Sequence, residues 1–155
     1  MMRGTPRHFD ARGWSVAGLV ATFAAVSAGY WMPALGLPRL DFASLNGNLV
    51  APESSGAAFA WSVGLLDTFA LGALGALLYG RFLRSRLPGS GPVRASLWAL
   101  VLCAIVGLTA FPLLFGAGVF GIRWDPATPI ALVSWHLVWG VALGIIDDRL
   151  LADAG

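Results

Sequence analysis

Apolar residues fall along the chain in four long blocks, about Trp14–Leu37, Trp61–Leu83, Ala95–Ile122 and Thr128–Ile146, with most of the charge between them. A hydrocarbon core of ~30 Å takes about 20 helical residues at 1.5 Å each, so every block is long enough to cross one. The pattern predicts a single all-α domain over residues 1–155, an integral membrane four-helix bundle.

Small residues recur every four positions within the blocks. Ala17, Ala21, Ala25 and Gly29 mark the first, and Gly64, Thr68, Gly72, Ala76 and Gly80 the second. Ala95, Ala99, Cys103 and Gly107 mark the third. In the fourth, His136, Gly140 and Gly144 share one helical face. Such stripes let membrane helices approach closely where water supplies no driving force between them.

The connections read as follows. Leu40, Phe42, Leu45, Leu49 and Val50 have rough helical spacing, which predicts a short helix lying on the bilayer surface. Pro52 to Gly56 and Pro88 to Pro92 are turns, and Gly116 to Gly121 is glycine-rich and irregular. Asp125-Pro126 pairs a helix cap with a proline at the first helical position.

The two halves resemble each other. Ala17/Ala21/Ala25/Gly29 followed by Pro33 matches Ala95/Ala99/Cys103/Gly107 followed by Pro112, and Leu66-Asp67 with Gly75 matches Trp135-His136 with Gly144. Two helices per half give both halves the same orientation, a 2+2 parallel repeat about an axis along the membrane normal.

Composition agrees with the pattern: 57% apolar, 12% charged, with a mean hydropathy of +0.76. The net charge of +2 is a topology signal and not a nucleic-acid footprint, because all ten cations are arginine and are unevenly placed. Eight lie in the N-terminal tail, the middle loop or the C-terminus, against one each, Arg39 and Arg123, in the other two loops. That bias puts both termini and the middle loop in the cytoplasm. Trp14 is expected at the cytoplasmic interface, and Tyr30-Trp31 at the outer one. Arg3 to Arg12 followed by Trp14 to Ala28 has the outline of a signal peptide, and is read as an uncleaved first helix.

Candidate chemistry narrows to two side chains inside the blocks, Asp67 and His136. Asp67 is six residues from Trp61, about 9 Å along the helix, and His136 lies at a similar depth. An intramembrane carboxylate faces protein and has a partner. Two readings stand: a proton-passing Asp–His pair, or polar glue between helices at ~1 kcal/mol. His136 on a glycine face is also a candidate ligand for haem or chlorophyll, although the only other histidine, His8, is in the tail. Trp135 and Trp139 read as packing or interface aromatics, and Cys103 as a buried packing residue. Asp147, Asp148 and Asp153 read as a solvated helix end. No metal site, phosphate loop or nucleophile–base pair is recognisable, so no enzyme activity and no resident cofactor are predicted.

With its Gly36-Leu37-Pro38 exit, glycine-rich second block and closing His136-Leu137-Val138-Trp139-Gly140 with Gly144, the chain resembles an uncharacterised family of small bacterial four-helix membrane proteins. Residue by residue, the resemblance touches His136, Trp139, Gly140 and Gly144, and it implies a fold and no chemistry. The expected role is a non-catalytic accessory or assembly subunit of a larger membrane complex, respiratory or photosynthetic, in the bacterial inner membrane. Its partners are then lipid and other membrane subunits or further copies of itself. The alternatives are a small proton or solute conduit using Asp67 and His136, and a tetrapyrrole-binding subunit ligated by His136.

Overall fold

The computed structural model describes residues 10–152, and side chains as far as Arg149; the tail residues Arg3, Arg7 and His8, and Asp153, lie outside the described residues. Regular structure among them is entirely helical: α1 (Ala11–Trp31), α2 (Phe42–Val50), α3 (Ala57–Leu78), α4 (Gly91–Leu102), α5 (Phe111–Leu114) and α6 (Thr128–Ala152). Four helices are long and apolar enough to cross a membrane: Ala11–Leu35, Ala57–Leu83, Gly91–Leu114 and Thr128–Arg149. The third of these joins α4 to α5 through a π-helical stretch, Cys103–Ala110.

Local chemistry sets the boundaries. The Asp10 carboxylate caps α1 by accepting from the Gly13 N–H at 3.0 Å, and Asp41 caps α2 through the Ser44 N–H at 3.1 Å. Pro33 tightens the end of the first long helix into a 3₁₀ turn that stops at Gly36, whose φ is +74°. The third long helix ends at Leu114 rather than running to residue 122. Pro112 supplies no N–H to the ladder, and Gly116, Gly118 and Gly121 all take positive φ, so the chain cannot continue as a helix.

The long helices pack in the order α3, α1, α6, α4, each antiparallel to its neighbour. Three seams are close. Gly18 lies against the Gly72 and Ala73 backbone, where a Cβ would come within 2.7 Å. Gly29 faces the Trp135 indole. Gly140 faces Ser96 and Ala99, with a Cβ only 2.8 Å from each, and Gly144 lies on the Gly91 and Pro92 backbone. Ala17, Ala21, Ala25, Ala76, Ala95 and Ala99 are buried in these seams. Only small side chains allow such approach.

The fourth seam, between α3 and α4, is different. These helices meet where Trp98 Nε1 donates to the Gly75 carbonyl at 3.0 Å and Leu102 lies beside Gly75. Beyond that crossing they enclose a cleft.

A short helix is present where the spacing predicts one, as α2, but its packed face differs from the one the apolar spacing marks. Ala43, Asn46 and Gly47 are buried, whereas Leu49 and Val50 are exposed. Gly47 and Gly64 bring the α2 and α3 backbones together, and Asn46 Nδ2 donates to Thr68 Oγ1 at 2.9 Å. Close backbone approach and a buried hydrogen bond outweigh the apolar stripe.

Candidate functional site

The α3–α4 cleft has a volume of about 260 Å³. Leu71, Leu74 and Leu78 of α3 and Val106 opposite line it and are also exposed, so it opens sideways between the two long helices. Its floor is α6, which contributes Trp135, His136 and Trp139. Phe42 crosses one end, its ring 4.8 Å from that of Trp135 and 6.1 Å from that of Phe111. The Trp98–Gly75 bridge closes the other.

The π-helical stretch shapes the wall facing α6. Its register shows in Thr109 Oγ1, which donates to the Ala104 carbonyl five residues back at 2.8 Å. Cys103 and Gly107 both turn inward and are buried. Gly107 leaves the space that His136 occupies: a Cβ there would stand 2.9 Å from His136 Cε1.

His136 is 8% exposed, and its Nδ1 lies 2.8 Å from the Leu132 carbonyl. A carbonyl oxygen only accepts, so Nδ1 carries the proton and donates. In the neutral ring Nε2 is then a bare acceptor. It has no hydrogen-bond partner among the described residues. His136 is the one ionisable side chain on the cleft wall. Asn46, on the same wall, leaves its buried Oδ1 unpartnered, since Nδ2 is committed to Thr68 and the Thr68 hydroxyl donates to the Gly64 carbonyl.

Asp67 is half-buried on α3, one position from Thr68, and does not line the cleft. Among the described residues no hydrogen bond or ion pair joins it to His136. Trp139 Nε1 instead donates to Thr22 Oγ1 at 3.1 Å, tying α6 to α1. Trp135 lines the cleft and packs on Gly29, and Cys103 is buried beside Gly107.

A second polar group lies at the arginine-rich end, and it corrects the solvated-helix-end expectation. Asp147 is 0% exposed. Its Oδ2 accepts from the Tyr79 hydroxyl at 2.9 Å and from Arg94 Nη2 at 3.2 Å, and its Oδ1 from Arg84 Nε at 2.6 Å. Asp148 is half-exposed and accepts from the Gly91 N–H, at the start of α4, at 2.9 Å. Two carboxylates thus meet two guanidiniums, and the buried one has three donors.

A π-helical turn, Tyr79–Leu83, makes this possible. Residues five apart point about 140° away from each other on an α-helix. The Arg84 N–H bonds the Tyr79 carbonyl at 2.9 Å, and in that wider turn both side chains reach Asp147. Trp14 packs into the same group: it is buried edge-on against Tyr79, with ring centres 5.6 Å apart and the Arg84 guanidinium over its face.

One signal for Asp147 was present in the sequence. It lies three residues after Gly144 and seven after Gly140, on the same helical face as the close-packed glycines. Asn46 carried no comparable signal, because its partner depends on how α2 docks on α3.

The chain is therefore an all-helical bundle with four helices of membrane-crossing length and composition, the mark of a multi-pass membrane protein. No protein family, curated protein or solved structure matches it.

Proposed function

We propose that this protein is a non-catalytic integral membrane subunit that docks on other subunits of a larger membrane assembly. The arginine-rich end and both termini face the cytoplasm of a bacterial cell, following the bias of Arg81, Arg84, Arg86 and Arg94 against Arg39 and Arg123.

The observation that carries this reading lies past Leu114, where the third long helix has ended. Val119, Phe120, Ile122 and Trp124 stand exposed on an irregular loop, and Phe120 is 48% exposed with φ at 65°. A bulky residue at positive φ is strained by about 1–3 kcal/mol. Strain that holds an aromatic ring outward, within an apolar patch beyond the helix end, suits contact with another protein. The Asp147 group is the complementary support: three donors on two other helices hold one buried carboxylate, as in a fixed structural bracket.

Extraction in mild detergent, followed by a native gel and mass spectrometry, tests the proposal. Migration at fixed stoichiometry with larger subunits, lost in a Phe120→Ser/Ile122→Ser variant, supports it. Migration of the native chain alone overturns it.

One observation favours a second reading, the tetrapyrrole ligand. A histidine whose Nδ1–H is held by a carbonyl and whose Nε2 is bare has the form that binds a metal. A cleft of about 260 Å³ holds little more than one substituted ring within the bundle, since a cavity of about 150 Å³ takes benzene. A macrocycle at His136 would project between α3 and α4 into the bilayer. Visible absorbance that disappears in His136→Ala would decide for this reading.

A further inference from the structure

We propose that the α3–α4 cleft is a binding site for a lipid-soluble molecule bearing a hydroxyl group, which enters sideways from the bilayer and donates its O–H to His136 Nε2. This goes beyond the subunit reading and does not depend on it.

Three observations meet at the site. The first is polarity. An unpartnered acceptor on a side chain more than nine-tenths buried is costly unless a donor reaches it, and His136 Nε2 has none among the described residues. The Leu132 carbonyl fixes which nitrogen accepts, so His136 calls for a donor, while the unpartnered Trp135 Nε1–H is buried on the α1 side, against Gly29. Asn46 Oδ1 is a second unpartnered acceptor, buried behind the same wall.

The second is volume and lining. About 260 Å³, walled by leucine, valine and aromatic side chains, suits one substituted ring or a branched chain segment. Trp135 and Trp139 on the floor give that ring aromatic faces to pack on.

The third is access. Leu71, Leu74 and Leu78 are exposed along the lip of the cleft. A tail attached to the bound group leaves between α3 and the third long helix and stays in hydrocarbon. The chemical class is therefore a hydrophobic tail on a hydroxylated head, supplied either by a hydroquinone or by a lipid alcohol.

Equilibrium binding to the purified full chain in detergent, read by native mass spectrometry, tests this with three ligands: decyl-hydroquinone, its oxidised quinone, and farnesol. The quinone has the same ring and tail but no O–H to donate. Retention of one decyl-hydroquinone per chain, with the quinone held about tenfold more weakly, supports the site and assigns a hydroquinone. Retention of farnesol in preference to decyl-hydroquinone supports the site and assigns a lipid alcohol. His136→Phe keeps a ring in place and removes the acceptor, and it should weaken the retained ligand by about tenfold. Should that variant fail to fold, Leu74→Trp at the exposed lip leaves the core intact and should block entry. Equal retention of quinone and hydroquinone, or native affinity in both variants, overturns the proposal. So does retention of none of the three. A native gel reports the subunit reading separately.

Discussion

The α1–α6 seam and the α3–α4 seam are the two places where the first pair of long helices meets the second, and they are built in opposite ways. Along α1–α6, Ala21, Ala25 and Gly29 are buried, and Trp139 reaches across to Thr22. Along α3–α4 an indole, Trp98, fills the crossing at Gly75, and the helices stand apart from there towards Leu71. Small residues let one seam close, while bulk at the crossing keeps the other open. The Asp147 bracket explains why the open seam does not come apart: the π-helical extension of α3 supplies Tyr79 and leads to Arg84, α4 supplies Arg94, and all three hold one carboxylate of α6. The α3–α4 seam is tied at the arginine-rich end and open towards the other.

The largest test of that contrast is to remove the tie. Asp147→Leu removes the one acceptor shared by Arg84, Arg94 and the Tyr79 hydroxyl, and leaves Arg94 with only the Gly89 carbonyl and the distant Asp148 carboxylate. Loss of one member of a buried ion pair costs about 3–5 kcal/mol. Thermal unfolding in detergent should show a fall of that size, with proteolysis starting in the Arg84–Gly91 turn. A fall below about 1 kcal/mol would mean that the bracket does not hold the seam.

Next in size is the closed side. A leucine at Gly144 has no space between α6 and the Gly91–Pro92 backbone, and the same change at Gly140 meets Ala99 and Ser96. Overpacking of this kind costs about 1–3 kcal/mol. Gly36→Leu is the control, because nothing lies within 4 Å of a Cβ there and only its positive φ resists the change. If Gly144→Leu is no worse than this control, the α4–α6 seam is looser than its geometry. On the α1–α6 seam, Thr22→Val keeps the side-chain shape but removes the acceptor for Trp139 Nε1, and should cost about 0.6 kcal/mol, a typical value for a hydrogen bond between membrane helices.

The contrast between the seams also marks where the sequence was readable. Four helices of membrane length follow from the apolar blocks alone, because a 20-residue run has one structural meaning in hydrocarbon. The two π-helical turns have no such signature. Tyr79–Leu83 and Cys103–Ala110 read as ordinary helix by composition, yet one gathers Tyr79 and Arg84 and the other turns Gly107 towards His136. The arginines at residues 84 and 94 were legible as a topology signal, and that sufficient explanation hid their structural partner. The cleft was not legible at all. It depends on which pair of small-residue stripes remains apart, and every long helix carries such a stripe.

Asp67 gives the smallest expected effect and the sharpest use of the comparison. It belongs to the open side of the molecule, yet it lies outside the cleft and makes no hydrogen bond or ion pair with His136 among the described residues. A carboxylate that holds helices together loses a partner when it becomes an amide; one that holds nothing loses only its charge, which hydrocarbon disfavours. Asp67→Asn should therefore leave unfolding within about 0.5 kcal/mol of the native protein, or shift it upward. Proton flux in reconstituted vesicles is the second measurement, and native and variant chains should give the same background rate. A native flux abolished by Asp67→Asn at unchanged stability would make the molecule a conduit. The cleft would then be a side feature of a proton path, and the subunit reading would fall.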